Sequence, residues 1–273
     1  MIGSICGDII GSVFEWHNVK SESFELFSRE SCFTDDTVMT VAVADKLLTC
    51  ANLHGFGNNA AAARAYAARY RQYYSRHPHA GFGQMFSDWA KKGEYTKQRS
   101  YGNGAVMRVA PIGYAFDNIS AVTKEARLSC LYTHNHHEAI QGAEVIAGCV
   151  FLARTGSSKD EIQAFARKKY GYHHTDYILN DIRPDYKFNS RTSYSVPPAI
   201  SAFLESDDYE SAIRKAISIG GDSDTIACIA GGIAHAFYKS MPKQIYDKCM
   251  TLLDSGLRKT INEFIKAYSI PVY

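Results

Sequence analysis

The segment TIACIAGGIAHAFY at residues 225–238 limits most strongly what this chain can fold into. Small and apolar residues occupy nearly every side of the helix that it would form, so the segment lacks the polar face of a surface helix. Such a helix must be surrounded by other parts of the fold. Because strand-like alternation is scarce elsewhere in the chain, we expect those parts to be helical as well.

Eight further stretches space their apolar residues as an α-helix requires. They cover residues 37–50, 59–76, 121–131, 138–154, 159–170, 209–219, 242–253 and 257–268. Residues 172–198, where Asn, Asp, Arg, Pro and Ser cluster, are predicted to form a long surface loop, and such loops are often functional. The prediction is an all-α fold around a buried central helix.

Composition favours one compact multi-helix domain spanning residues 1–273, because nothing in the chain resembles a linker or a repeat. With 46% hydrophobic and 12% aromatic residues, the chain can bury a large core. The formal net charge of +2 provides no strong basic field for nucleic-acid binding, so a small-molecule substrate fits better. Nucleic acid is expected only as a modified substrate.

The seven cysteines are widely spaced and odd in number, which argues against a disulfide framework and against a thiolate zinc site. No apolar run is long enough to span a membrane, and the chain begins without a basic leader. We therefore expect a cytoplasmic protein, and a monomer.

The tetrapeptide TDDT at residues 34–37 places two adjacent carboxylates, Asp35 and Asp36, between hydroxyl groups at a predicted helix start. Hard oxygen ligands at this density suit magnesium or manganese. An ordinary helix cap with an acidic first turn would have the same sequence. This motif alone leaves both interpretations open.

A second acidic motif, GGDSDT at residues 220–225, opens the central helix. Capping explains one of its carboxylates but not both, because an unpaired buried carboxylate is strongly destabilising. A bound cation would offset the cost of burying both carboxylates. The two motifs together could surround one or two divalent ions about 3.5–4 Å apart. Six oxygen-bearing residues of the two motifs would take part.

The segment SYGNG at residues 100–104 could hold an anion such as a pyrophosphate on exposed backbone amides. Tyr101 could stack on a base or a ribose. Asn-Gly is also ordinary turn chemistry, so the signal is weak on its own.

The segment THNHHE at residues 133–138 has the wrong spacing for a zinc-protease helix. One of its histidines could instead hydrogen-bond a phosphate or a ribose. Nearer the N-terminus, Gly7 and Gly11 are one helical turn apart and permit close helix packing, and Glu15 follows them as either a surface acid or a group near the metals.

Together these motifs resemble the ADP-ribosylglycohydrolase family, which includes the dinitrogenase-reductase-activating glycohydrolase and the ADP-ribosyl-acceptor hydrolases. The match runs from Gly7 to about Tyr238, and the motifs occur in the family's order. The resemblance implies a single all-α domain with a dinuclear Mg²⁺ site, in which Mn²⁺ can substitute. The cleft at that site would receive ADP-ribose or an ADP-ribosylated substrate.

By this resemblance, the family's first metal-binding motif is matched by Thr34, Asp35 and Asp36, and its second by Asp222, Asp224 and Thr225. Ser223 stands where many relatives have Thr. Glu15 aligns with a glutamate that approaches the metals and gates the cleft in the branch that cleaves serine linkages and poly-ADP-ribose. Tyr101 is the expected stacking ring, and Tyr95 would lie against the adenine. The substrate-binding set is then Tyr95, Ser100, Tyr101, Gly102, Asn103, Gly104 and His134.

The implied reaction is the removal of ADP-ribose from an acceptor such as a protein side chain or the acetyl group of O-acetyl-ADP-ribose. The metals, held by Asp36 and Asp224, would orient a water toward the anomeric carbon of the distal ribose, and Glu15 or a metal-bound hydroxide would take up a proton. Two alternatives remain: an ADP-ribose-binding module without catalysis, and an unrelated metal phosphohydrolase.

Overall fold

This computed structural model describes residues 1–50, 59–170 and 178–273, and α-helices are the main regular structure in these ranges. Within them, two isolated bridges, Arg99 with His134 and Gly102 with Arg191, are the only β-type pairings. The predicted all-α fold is confirmed. The helices in chain order are α1 (Ile2–Gly11), α2 (Asp35–Thr49), α3 (Asn59–Arg76), α4 (Gln84–Lys92), α5 (Ala110–Ala115), α6 (Ile119–Cys130), α7 (His137–Arg154), α8 (Lys159–Tyr170), α9 (Leu179–Ile182), α10 (Thr192–Leu204), α11 (Tyr209–Ser218), α12 (Ser223–Tyr238), α13 (Lys243–Leu252) and α14 (Ser255–Ala267).

Helix α12 lies at the centre of the fold, as the sequence predicts. All of its residues from Ser223 to Ala236 are buried. Helices α1, α7, α10 and α11 pack around it. Helix α1 is buried along its whole length and packs most extensively against α12. The centre of the domain is therefore a pair of helices that have almost no solvent-facing side.

Glycines set the close approach of α1 to α12. A Cβ atom at Gly7 would lie 2.2 Å from the carbonyl oxygen of Ala227, and one at Gly11 would lie 2.5 Å from the Cα of Asp224. These distances are too short for any side chain, so the two backbones are in direct contact. The contact at Gly11 therefore fixes the position of Asp224 relative to α1.

Substitution of Gly7 by alanine should lower the free energy of unfolding by about 1–3 kcal/mol, the usual range for overpacking a core. The neighbouring atom is backbone and has no alternative rotamer, so the helices would have to separate. Urea denaturation would measure the change. Gly83→Ala is a suitable control, since a Cβ there meets nothing within 4 Å. Equal stability of the two variants would contradict the proposed tight contact.

All of the helices predicted from periodicity are present, and their ends differ from the predictions by two residues or fewer. Five further helices, α1, α4, α5, α9 and α10, were not among those stretches. Helix α1 is apolar on nearly all sides and therefore lacks a clear period, while α5 and α9 are too short to show one.

The predicted long loop at residues 172–198 is wrong over much of its length. Residues 172–177 lie outside the described residues, and α9 and the first half of α10 occupy much of the remainder. Pro197 and Pro198 lie inside α10, where both are buried. The two prolines cannot donate backbone hydrogen bonds within the helix. The stabilisation gained by packing α10 against α12 outweighs this loss. Only residues 183–191 connect the two helices without regular structure.

None of the helices in the described ranges combines the length and the apolar character needed to cross a membrane.

Candidate active site

A cavity of about 410 Å³ opens at the N-terminal ends of α2 and α12. The two predicted acidic motifs lie at these ends and line the cavity together. The start of α4, the segment from Gln98 to Arg108 and the residues Thr133 and His134 contribute further parts of its wall. The all-α fold thus brings two motifs that are far apart in the sequence to one place.

Asp8 connects α1 to the first acidic motif. Its buried carboxylate accepts hydrogen bonds from the backbone N–H groups of Thr34, at 3.0 Å, and of Thr37, at 3.1 Å. The hydroxyl groups of the same two threonines also donate to it. Asp8 therefore fixes the start of α2 against α1, and its carboxylate faces the acidic motif.

Two groups of three carboxylates meet at Asp224, and we call them the two acidic triads. The first is Asp8, Asp36 and Asp224, and the second is Glu15, Asp222 and Asp224. In each triad, one oxygen atom from every residue lies within 4.8 Å of the others. Oxygen ligands at this spacing could hold divalent cations.

The helix-cap interpretation does not account for these acids. Thr34, and not an aspartate, is the N-cap of α2, and Asp36 lies in its first turn. Asp222 occupies the N-cap position of α12 but makes no capping hydrogen bond with its side chain. Asp36 Oδ2 accepts a hydrogen bond from the Thr225 hydroxyl at 3.2 Å, while its buried Oδ1 has no hydrogen-bond partner among the described residues. That orphaned oxygen is free to bind a cation.

Burial and mutual repulsion raise the pKa values of these acids. Burial contributes most to the raised pKa of Asp36 and Asp224, and the neighbouring carboxylates add to it. Burial, followed by the charges of Asp8 and Asp222, raises the pKa of Asp35 to about 8. Without a cation, the site resists holding all of its carboxylates in the charged form.

Glu15 lies in the turn region that follows α1, and it is only partly buried. Burial, followed by the charge of Asp222, raises its pKa to about 7. A carboxyl group with a pKa near neutral can both accept and release protons under ordinary conditions.

Asn103 joins the predicted phosphate loop to the second acidic motif. Its side-chain amide donates to Asp222 Oδ2 at 2.7 Å and to the Ser195 hydroxyl at 2.9 Å. Its backbone N–H donates to the carbonyl of Ser190 at 2.8 Å. The loop is therefore held in place by α10 and by the residues before it, and in turn it orients Asp222.

The ring of His134 faces the same loop. A Cβ atom at Gly104 would lie 2.9 Å from its Nε2, so only glycine leaves this side of the ring open. Nδ1 lies 2.8 Å from the Thr133 hydroxyl, which accepts a hydrogen bond from the buried Arg108 at 2.7 Å. Burial, assisted by Arg108, lowers the pKa of His134 well below its usual value. A neutral ring whose Nδ1 accepts from Thr133 would present Nε2–H as a donor.

The match to a known family extends over the whole chain and is not confined to the acidic motifs. A model of ADP-ribosylglycohydrolase matches residues 1–270. The chain belongs to the ADP-ribosylglycohydrolase family. It is accordingly a hydrolase, and the activity of this family is the removal of ADP-ribose.

Named relatives agree with the family. ADP-ribosylhydrolase ARH3 of Mus musculus is 27% identical, over 91% of this chain and 86% of the mouse protein. ADP-ribosylarginine hydrolase Tri1 of Pseudomonas putida is 26% identical, over 91% of this chain and 72% of that protein. A solved ADP-ribosylglycohydrolase-related protein complex matches with a TM-score of 0.68 and 22% identity, over 99% of this chain and 97% of the other, and supports the fold.

In this ADP-ribosylglycohydrolase, most of the residues predicted for the site line the same cavity. They are Glu15, Thr34, Asp35, Asp36, Ser100, Gly102, Asn103, Gly104, His134, Asp222, Asp224 and Thr225. Tyr95 and Tyr101 do not line it. These two residues are 48% and 51% exposed, and the Tyr101 ring contacts His136 edge-on, with the Arg191 guanidinium 4.9 Å from its centre.

The sequence interpretation missed several residues of the site. Asp8 is one, although a lone carboxylate in the apolar segment IGSICGDIIG was a usable signal. Four aromatic side chains that line the cavity had no such signal, because their positions depend on loop and tertiary packing. They are Trp16, Phe82, Phe86 and Phe188.

Proposed function

We propose that this ADP-ribosylglycohydrolase is a magnesium-dependent enzyme that releases ADP-ribose from an acceptor by attack of water at the distal ribose. The observation that supports this best is the pair of acidic triads that share Asp224 at the cavity. Two Mg²⁺ ions, replaceable by Mn²⁺, are proposed to bind there. Their ligands would come from Thr34, Asp35, Asp36, Asp222, Asp224 and Thr225, with Asp8 added to the set.

The chemistry of these residues fits such ions. All of the candidate ligands offer oxygen, as Mg²⁺ prefers, and the orphaned Oδ1 of Asp36 is the kind of buried atom that needs a cation. Bound ions would stabilise developing negative charge and make water a better nucleophile. Removal of the ions should expose the repulsion that raises the pKa values of the acids.

The remaining residues would bind and orient the substrate. We propose that Glu15 accepts a proton from the attacking water, since its pKa lies near 7 and its carboxylate lies beside Asp222 and Asp224. The neutral His134 would donate from Nε2 to a phosphate or ribose oxygen. Asn103 would keep Asp222 in its orientation.

Two further parts of the proposal concern the binding of ADP-ribose, and a third concerns the domain. Backbone amides of residues 100–104 would hold the pyrophosphate. Tyr101 and Tyr95 would stack on the adenosine part where it extends beyond the cavity, since each residue is about half exposed. Residues 1–273 would act as one domain.

The name of one relative, ADP-ribosylarginine hydrolase Tri1, specifies an arginine linkage. The acceptor group that this enzyme releases from ADP-ribose must therefore be tested directly. A panel of defined conjugates, linked through arginine, serine or an acetyl ester, should be incubated with the metal-loaded and the chelated enzyme. Free ADP-ribose should form only in the presence of Mg²⁺ or Mn²⁺. Binding of ADP-ribose without turnover of any conjugate would indicate a non-catalytic module, and release of phosphate or a mononucleotide would indicate a phosphohydrolase.

A further inference from the structure

The ring of Tyr101, which lies between the cavity residues Ser100 and Gly102, is contacted by two other side chains. The Arg191 guanidinium lies over the ring, 4.9 Å from its centre. The His136 ring meets it edge-on, with 5.7 Å between the ring centres. Tyr101 nevertheless stays 51% exposed, so burial in the core does not explain why these side chains gather around it.

Both contacts depend on Glu138, in the first turn of α7. Its carboxylate accepts hydrogen bonds from Arg191 Nε, at 3.1 and 3.0 Å to the two oxygens, and from a terminal guanidinium nitrogen at 2.9 Å. Its backbone N–H donates to His136 Nδ1 at 3.3 Å. One residue therefore holds both of the groups that touch the Tyr101 ring.

The ion pair between Glu138 and Arg191 has the geometry that fixes a guanidinium in one orientation. Several N–H groups of the planar guanidinium bind one carboxylate, which restricts rotation as well as position. The Glu138 side chain is only 10% exposed, and it is held in turn by the backbone N–H of Ser193 at 2.9 Å. An ordinary surface ion pair lacks both features and contributes little.

The backbone beside Arg191 is joined directly to the segment that carries Tyr101. Arg191 forms the β-bridge with Gly102. The N–H of the buried Thr192 donates to the carbonyl of Tyr101 at 3.1 Å. Its hydroxyl lies 2.9 Å from the carbonyl oxygens of both Tyr101 and Gly102. The main chain thus keeps Arg191 beside Tyr101, and Glu138 sets the direction of its side chain.

We propose that Arg191 and Glu138 are positioning residues that orient the Tyr101 ring for the adenine of ADP-ribose. The guanidinium occupies one face of the ring and leaves the opposite face to the adenine. Glu138 acts through Arg191, and Arg191 acts through Tyr101. This inference rests on the proposed function, in which Tyr101 stacks on the adenosine part of the ligand.

Arg191→Leu should raise the Kd for ADP-ribose, measured by calorimetry, by roughly fivefold, as expected for the loss of an exposed cation–π contact. In turnover of a conjugate, KM should rise while kcat stays near wild type, because the adenine lies away from the reacting bond. Arg127→Leu is the matched control. Arg127 is also a half-exposed arginine that pairs with a nearly buried α7 carboxylate, that of Glu144 at 2.7 Å, but it does not line the cavity.

Glu138→Gln distinguishes positioning from direct binding of the ligand by Arg191. Glutamine keeps an oxygen that can accept from the N–H of Ser193, but it removes the charge that holds the guanidinium. If Arg191 acts by orienting Tyr101, the affinity for ADP-ribose should fall, as in Arg191→Leu. Unchanged or higher affinity would show that Arg191 released from Glu138 binds the pyrophosphate itself, and would overturn the positioning role.

A double-mutant cycle between Arg191→Leu and Tyr101→Ala tests whether the arginine acts through the ring. Arg191→Leu should weaken binding in the wild-type background and cause no further loss once the ring is absent. Melting temperatures near wild type would show that the variants are folded. Arg191→Leu changes a half-exposed side chain, so the cycle can be measured even if Glu138→Gln fails to fold.

Additive losses in the cycle, or wild-type affinity of Arg191→Leu, would overturn this inference while the proposed function stands. A Tyr101→Ala variant that keeps the wild-type affinity would overturn the proposed stacking of Tyr101 and, with it, this inference. A wild-type enzyme that binds ADP-ribose but releases none from any conjugate would contradict the proposed catalysis, and the cycle would still test the positioning role.

Discussion

Replacing Asp224 by asparagine should remove both turnover and the stabilisation of the protein by Mg²⁺. Asp224 belongs to both acidic triads, so its loss affects every proposed ion at once. Since metal assistance contributes several kcal/mol, we expect turnover to fall by roughly a thousandfold or more. Asp36→Asn should act in the same direction.

Thermal unfolding provides a second measurement that does not depend on activity. An ion at a hundredfold excess over its Kd stabilises the folded state by about 2.7 kcal/mol. For a chain of this size, that corresponds to a rise in Tm of roughly 5 °C with millimolar Mg²⁺. Asp117→Asn, which alters a fully exposed carboxylate, should keep both the rise and the activity. A chelated wild-type enzyme with full activity and an unchanged Tm would contradict the metal site.

The raised pKa values of these acids also predict how the stability of the metal-free enzyme changes with pH. The acids of the site have raised pKa values in the folded protein, and that of Asp35 reaches about 8 from an ordinary value of 3.8. Between these two values the folded state binds more protons than the unfolded state, so stability falls as pH rises. The chelated enzyme should therefore lose stability from about pH 4 to about pH 8. Bound Mg²⁺ should reduce this loss, and so should Asp36→Asn.

Glu15→Gln should lower kcat by about two to four orders of magnitude, the usual contribution of a general acid or base. Glutamine keeps the size of the side chain but cannot accept the proton. The affinity for ADP-ribose, measured by calorimetry, should change much less, because the proposed role of Glu15 lies in the chemical step. Losses of equal size in affinity and in kcat would assign Glu15 to binding instead.

The fold was predictable from sequence for the helices with one polar face and for the long apolar helix α12. Helices α3 and α8 match their predictions at both ends, because their apolar residues recur with a clear helical period. Helix α1 is nearly uniformly apolar, and α10 contains two prolines, so local rules could not identify either one. Both are defined by packing against α12, which is information from distant parts of the chain.

The candidate site also contains residues that local sequence patterns predict and residues that they do not. Asp36 and Asp224 could be proposed as ligands because each acidic motif combines oxygen groups within a few residues. Asp8 was missed because its partners, Thr34 and Thr37, lie 26 and 29 residues away. Trp16 and Phe188 are separated even further in the chain, and no local pattern connects them.

The backbone contact between Gly11 and Asp224 has a consequence for how such an enzyme can diversify. Because Asp8 and Asp224 lie on two helices packed without intervening side chains, the spacing of these two acids is fixed by main-chain geometry. An exposed residue at the mouth, such as Met85, carries no comparable constraint. A lineage could therefore exchange the residues that meet an acceptor many times while the reaction centre stays unchanged.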